Sequence, residues 1–130
     1  MKGESSNQPR PGGALQRFLQ GFVYAGKGIC SFVRSERNAR FHCLAIAVVT
    51  AASFYFGISR GEWIAVVLCF GMVLAAEGFN SAIGRLVNLV SPGRNPLAGD
   101  IKDVAAGAVL VCAIAAAVVG LIIFLPYLLP

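Results

Sequence analysis

The sequence predicts an all-α membrane protein, with an N-terminal amphipathic surface helix followed by three transmembrane helices. Three observations predict it. Of 130 residues, 57% are hydrophobic and 13% charged, with a mean hydropathy of +0.73, and a water-soluble domain of this length cannot hide that much apolar surface. Three apolar runs approach or exceed the roughly 20 residues that a bilayer core requires. A fourth segment, "ALQRFLQGFVYAGKGICSFVRSERNAR", carries helical periodicity but too much charge to cross.

Residues 1 to 13, "MKGESSNQPRPGG", are polar and rich in Gly, Pro and Ser. They read as a disordered cytosolic tail and not as a cleavable signal peptide. The rest, 14 to 130, reads as one membrane domain. From about 14 to 35, apolar side chains recur at Leu15, Phe18, Phe22, Ile29 and Phe32 or Val33. Polar ones recur at Arg17, Gln20, Tyr24, Lys27, Ser31 and Arg34. That spacing puts one greasy and one polar face on a helix lying along the membrane surface. Within it, "GFVYAGKG" mimics a phosphate-binding loop, but Gly28 stands where Ser or Thr should be and no strand precedes it.

The first span is read at about 41 to 58, "FHCLAIAVVTAASFYFGI", and the second from Trp63 to about Val90. The third is read at about 104 to 125 and is expected to end at Pro126, which cannot continue the backbone ladder. It is crowded with Ala and Gly, so its backbone approaches other helices or subunits closely. The four cysteines, Cys30, Cys43, Cys69 and Cys112, show no metal-ligand spacing and read as small packing residues.

Lys and Arg set the orientation. Lys2, Arg10, Arg17, Lys27, Arg34, Arg37 and Arg40 precede the first span, and Arg85, Arg94 and Lys102 surround the link between the second and third. The turn between spans one and two has only Arg60. The N-terminus and the 89–103 loop are therefore expected in the cytoplasm and the C-terminus outside. The net charge of +5 suits anionic headgroups or phosphate ligands and not nucleic acid.

Glu77 carries the sharpest chemical signal. A carboxylate inside a membrane helix costs at least a few kcal/mol unless it faces protein, water or a cation. Fourteen residues beyond Trp63, it lies about 21 Å along the helix. In a core of about 30 Å that is the inner leaflet, a depth suited to lipid headgroups. Asn80, Gly84 and Asn88 continue its face at i+3, i+7 and i+11. Glu36, Asp100, Lys102 and Asp103 are expected on the same cytosolic side. Lys and Arg neutralise phosphate, while Glu and Asp hold Mg²⁺ beside it. Such a set, with a buried carboxylate behind it, describes phosphoryl transfer to a lipid hydroxyl. His42, beside Phe41 at the membrane boundary, reads as an interfacial packing residue ahead of a catalytic one.

Several blocks together resemble the small prokaryotic integral-membrane diacylglycerol kinase family, which includes the undecaprenol kinases. They are "RF" at 17–18, "YAGKG" at 24–28, "ERNARFH" at 36–42, "EGFNSAI" at 77–83 and "KDVAAGAVL" at 102–110. "ERNARFH" and the "SP…NPLAG" phrasing look closer to the undecaprenol-kinase branch. The resemblance covers about 15 to 125 and implies a homotrimer in the bacterial inner membrane, with active sites shared between subunits. It implies ATP as co-substrate, a membrane lipid alcohol as acceptor, and Mg²⁺. It makes Glu77 the catalytic base and Asn80 its neighbour toward the lipid, with Glu36 holding the metal beside ATP. Arg17 and Tyr24 would face nucleotide, Arg17 also lipid, and Lys102 with Asp103 would meet ATP.

The chain departs from the family pattern where a second metal-binding Glu usually stands, here Gly84, and where an Asp usually follows, here Asn88. The loop that usually reads Ser-Pro-Glu-Tyr-His is "SPGRN". Arg94 in that loop is then expected to bind phosphate directly, with Asp100 as an additional acid. Two other readings stay open at this point: a degenerate family member that binds lipid or a partner, and a small proton or cation transporter subunit using Glu77.

Overall fold

A computed structural model describes residues 12–129, so most of the expected disordered tail lies outside the described residues. Among the described residues there are four helices and no strands: α1 (Ala14–Ser35), α2 (Arg37–Phe56), α3 (Arg60–Val90) and α4 (Pro96–Leu128). The chain divides into two compact units between Ser31 and Phe32, within α1. In the first unit Phe18 and Phe22, one turn apart, meet edge to face at 5.2 Å, and the Lys27 ammonium lies over the Tyr24 ring. The "GFVYAGKG" stretch is continuous helix within α1 and forms no phosphate-binding loop.

The second unit contains α2, α3 and α4, each long and apolar enough to cross a membrane. α2 has 20 residues, α3 31 and α4 33. At about 1.5 Å per residue, α2 matches a core of about 30 Å, while α3 and α4 outreach it by roughly 15–20 Å. α3 packs along α4 far more extensively than along α2.

α2 ends at Phe56 and α3 begins at Arg60, two and three residues before the expected positions, and three further boundaries differ for a local cause. α2 begins at Arg37 instead of about 41, because Glu36 alone breaks the chain out of helix (φ −106°, ψ 117°). α4 begins at Pro96 instead of about 104. The Asn95 side chain accepts the Leu97 N–H at 3.0 Å, and Pro96 enters the first turn, where its missing N–H costs nothing. Pro126 does not end α4, which continues to Leu128. Near a C-terminus Pro removes one ladder bond and little helix remains to be lost, and the Leu129 N–H still reaches the Leu125 carbonyl.

The turn between α2 and α3 is tightly specified. Gly57 takes the left-handed conformation (φ +62°), its N–H donates to the Phe54 carbonyl, and the Ile58 N–H donates to the Ser53 carbonyl. Ser59 then caps α3: its hydroxyl accepts the Glu62 N–H and its own N–H donates to the Glu62 carboxylate at 2.8 Å. The Tyr127 hydroxyl donates to the same carboxylate oxygen at 2.8 Å. Beside it Ile58, Val66 and Ile123 form the buried core of this end, with Trp63, Phe56 and Phe124 packed around them.

Candidate functional site

The opposite end of the second unit carries most of its charged groups. Its geometry starts at Glu36, whose extended backbone separates α1 from α2 and whose side chain makes no cap hydrogen bond there. The carboxylate instead lies 3.7 Å from the Arg85 guanidinium on α3. Arg85 Nη2–H also donates to the Ser35 hydroxyl. Arg40 Nη1–H donates to the Arg34 carbonyl at 2.7 Å, which satisfies a carbonyl of the last turn of α1. A second polar contact joins α3 to α4, where Lys102 Nζ–H donates to the Asn88 Oδ1.

Glu77 lies on α3 eight residues before Arg85, about 12 Å deeper along the helix. It is 2% exposed and is the one buried charged residue among the described residues. His42 on α2 brings Nε2 to 3.7 Å from Glu77 Oε2, with the two side chains 20% and 3% exposed. His42 also forms one end of an apolar cavity of about 300 Å³ between α2, α3 and α4, walled by residues such as Val49, Val73 and Ala117.

Three expected site residues each meet a partner in the second unit that was not among the expected site residues. Glu36 meets Arg85, Lys102 meets Asn88, and Glu77 meets His42. Asn80 is half-buried one turn from Glu77, while Arg94, Asp100 and Asp103 are exposed in and beyond the link. Arg17 and Tyr24 lie on α1 in the first unit. At Gly84 an added Cβ would meet nothing within 4 Å.

The sequence reading undervalued two residues. His42 read as packing, yet it faces the buried carboxylate. Arg85 counted only as a cytosolic charge, yet it holds Glu36. The signal for His42 was its place in "ERNARFH", at the point where an apolar run begins. Arg85 follows Glu77 by eight residues, so helical periodicity sets it near that face.

Among the described residues no group of three or more His, Cys, Asp or Glu side chains is gathered to hold a metal. Mg²⁺ keeps several waters and takes one or two carboxylates beside substrate phosphates. Glu36, with a side chain 34% exposed, is a carboxylate of that kind.

Residues 23–124 match the sequence profile of the family described as prokaryotic diacylglycerol kinase. The chain belongs to this family. The undecaprenol kinase of Bacillus subtilis is 42% identical over 114 residues, covering 88% of this chain and 93% of that protein. A diacylglycerol kinase of Synechocystis is 40% identical over 114 residues, 85% of this chain and 64% of its own length. A diacylglycerol kinase of Haemophilus influenzae is 26% identical over 108 residues, 83% of this chain and 89% of its own length. The stretch shared with the prokaryotic diacylglycerol kinase family takes in Glu36, His42, Glu77, Arg85 and Lys102, and so every polar contact described at this end of the second unit.

Proposed function

We propose that this protein is a membrane lipid kinase that moves the γ-phosphate of ATP to the hydroxyl of a lipid alcohol, undecaprenol or diacylglycerol. The observation that carries the reading is Glu77, a buried carboxylate about 12 Å below a set of phosphate-compatible groups on the same helical unit. The extensive match to the undecaprenol kinase of Bacillus subtilis favours the isoprenoid alcohol.

In the proposed reaction the lipid hydroxyl enters beside Glu77 and Asn80. Its proton passes to the Glu77 carboxylate as its oxygen bonds to the γ-phosphorus. The bond from that phosphorus to the β,γ-bridging oxygen breaks, and ADP leaves. Lys102 and Asp103 meet ATP, Lys102 and Arg94 neutralise phosphate charge, Arg17 and Tyr24 on α1 serve the nucleotide, and Arg17 also serves the lipid. Glu36 would hold Mg²⁺, which supplies charge neutralisation at the phosphates when bound. We further read α1 as a membrane-surface helix and the assembly as a homotrimer with shared sites. The membrane is taken as the bacterial inner membrane, with the N-terminus cytosolic and the C-terminus outside.

Purified protein, labelled ATP and Mg²⁺, offered undecaprenol and diacylglycerol side by side, should yield a labelled lipid phosphate. Absence of label in either lipid, with folded protein and full Mg²⁺, would overturn the reading. Cation or proton flux in liposomes without phosphorylation would replace it with the transporter reading.

A further inference from the structure

We propose that His42 is a positioning residue that holds the Glu77 carboxylate in place for accepting the acceptor proton; this rests on the kinase reading above. The buried polar residues among those described are Ser53 and Glu77. Ser53 is satisfied locally, since its hydroxyl donates to the Val49 carbonyl one turn back at 2.7 Å. Glu77 meets a side chain from another helix, His42, at 3.7 Å.

The distance itself is informative. It is within ion-pair range and longer than a hydrogen bond. A carboxylate has two oxygens and about four acceptor sites, so a contact at Oε2 leaves Oε1 open to a proton. An imidazole at this separation fixes the direction of the carboxylate and leaves room for an incoming hydroxyl. The surroundings strengthen the coupling. Beyond His42 the cavity wall is aliphatic and aromatic; its other titratable side chain is Cys69, two helical turns from Glu77 or about 12 Å along α3. α4 contributes Ala113, Ala116, Ala117, Val119, Gly120 and Phe124 to the wall, and none of them titrates. The nearest charges along the helices are Arg40 on α2, at its N-terminal end with Glu36, and Arg85 on α3. In so apolar a setting a carboxylate is held by its partner and not by water.

Two variants separate positioning from packing. His42→Leu removes the ring nitrogen, while His42→Gln returns an amide nitrogen at a similar reach to Nε2. In bilayer discs with ATP, Mg²⁺ and undecaprenol, His42→Leu should lower kcat about tenfold or more, short of the roughly 10²–10⁴ that loss of the base itself costs. KM for ATP and for lipid should stay unchanged, and His42→Gln should recover most of kcat. In a Glu77→Asp background His42→Leu should cost less than it does alone, because the two residues act as one unit.

A second measurement needs no turnover. His42 is the single histidine of the chain, so isotope-labelled histidine gives one imidazole in the magnetic resonance spectrum. Its ring signals should move in Glu77→Gln. Signals identical in the two proteins would overturn the proposal. So would a His42→Gln enzyme no better than His42→Leu, or one in which activity falls only in step with folded protein. If the wild-type chain phosphorylates no lipid alcohol while the imidazole still responds to Glu77→Gln, the kinase reading falls and takes the catalytic role with it, and the pair stands.

Discussion

The second unit contains two carboxylate–base contacts of the same 3.7 Å separation in opposite surroundings. Glu77–His42 is interior, with the carboxylate side chain 3% exposed; Glu36–Arg85 lies at the helix ends, with side chains 34% and 51% exposed. Equal distance does not mean equal energy. The attraction between exposed charges is weakened by water and salt, and such pairs are worth about 0–1 kcal/mol. The interior contact is sheltered from water and salt, so it is weakened far less. The exposed pair is therefore easily exchanged for a ligand, while the buried pair is fixed. The proposed reaction, which releases nucleotide while Glu77 keeps one direction, has a use for both.

The contrast breaks first at Glu77. Glu77→Gln should lower the phosphorylation rate by about 10²–10⁴ while assembly is retained, since a neutral amide is less costly to bury than a carboxylate. Rate and oligomer stability measured on one preparation decide it. An active, well-assembled mutant would leave Glu77 a structural residue, and weakened oligomers with proportionate activity would do the same.

At the helix ends the effects should be smaller and confined to ligand binding. Lys102→Ala should raise the KM for ATP roughly tenfold, the scale of one hydrogen bond to a charged group, with the fold intact. ATP saturation unchanged alongside a shifted lipid saturation would reverse that assignment. Gly84→Glu adds a carboxylate on the Glu77 face, where an added Cβ meets nothing within 4 Å. It should lower the Mg²⁺ concentration for half-maximal activity several-fold, because a second carboxylate joins the donor set. A flat Mg²⁺ titration would mean that the metal is held by other groups. The smallest effect is expected from Arg85→Ala, at most about 1 kcal/mol of stability and less in high salt. A loss of several kcal/mol would make Glu36–Arg85 as consequential as the buried pair and erase the comparison.

Much of this was legible in the sequence, for reasons that differ by element. The three spans were readable because apolar runs of bilayer length have few other uses. Their ends were less so. The early start of α4 depends on "NP" at residues 95–96 acting as cap and first turn, a weak signal beside the strong hydropathy of the helix body. Glu77 stood out because a carboxylate is conspicuous in an apolar run. Its partner did not, because His42 sits where the run begins, and the pairing joins residues 35 positions apart. Only the packing of α2 on α3 brings them together. Arg85 was hidden in a different way: on a basic surface one more cation looks like any other until Glu36 breaks the helix and turns toward it.

The closed turn between α2 and α3 has a consequence for biogenesis. Gly57, Ile58 and Ser59 are the whole link between two membrane-length helices. A connection this short cannot hold one helix in the bilayer while the other waits in the translocation machinery. α2 and α3 are therefore expected to enter as one helical hairpin with the turn at its tip. Glu62 travels at its tip, and within this hairpin its carboxylate is engaged by the Ser59 N–H before α4 brings Tyr127 to the same oxygen. The capping box thus engages a charge at the hairpin tip as well as starting a helix.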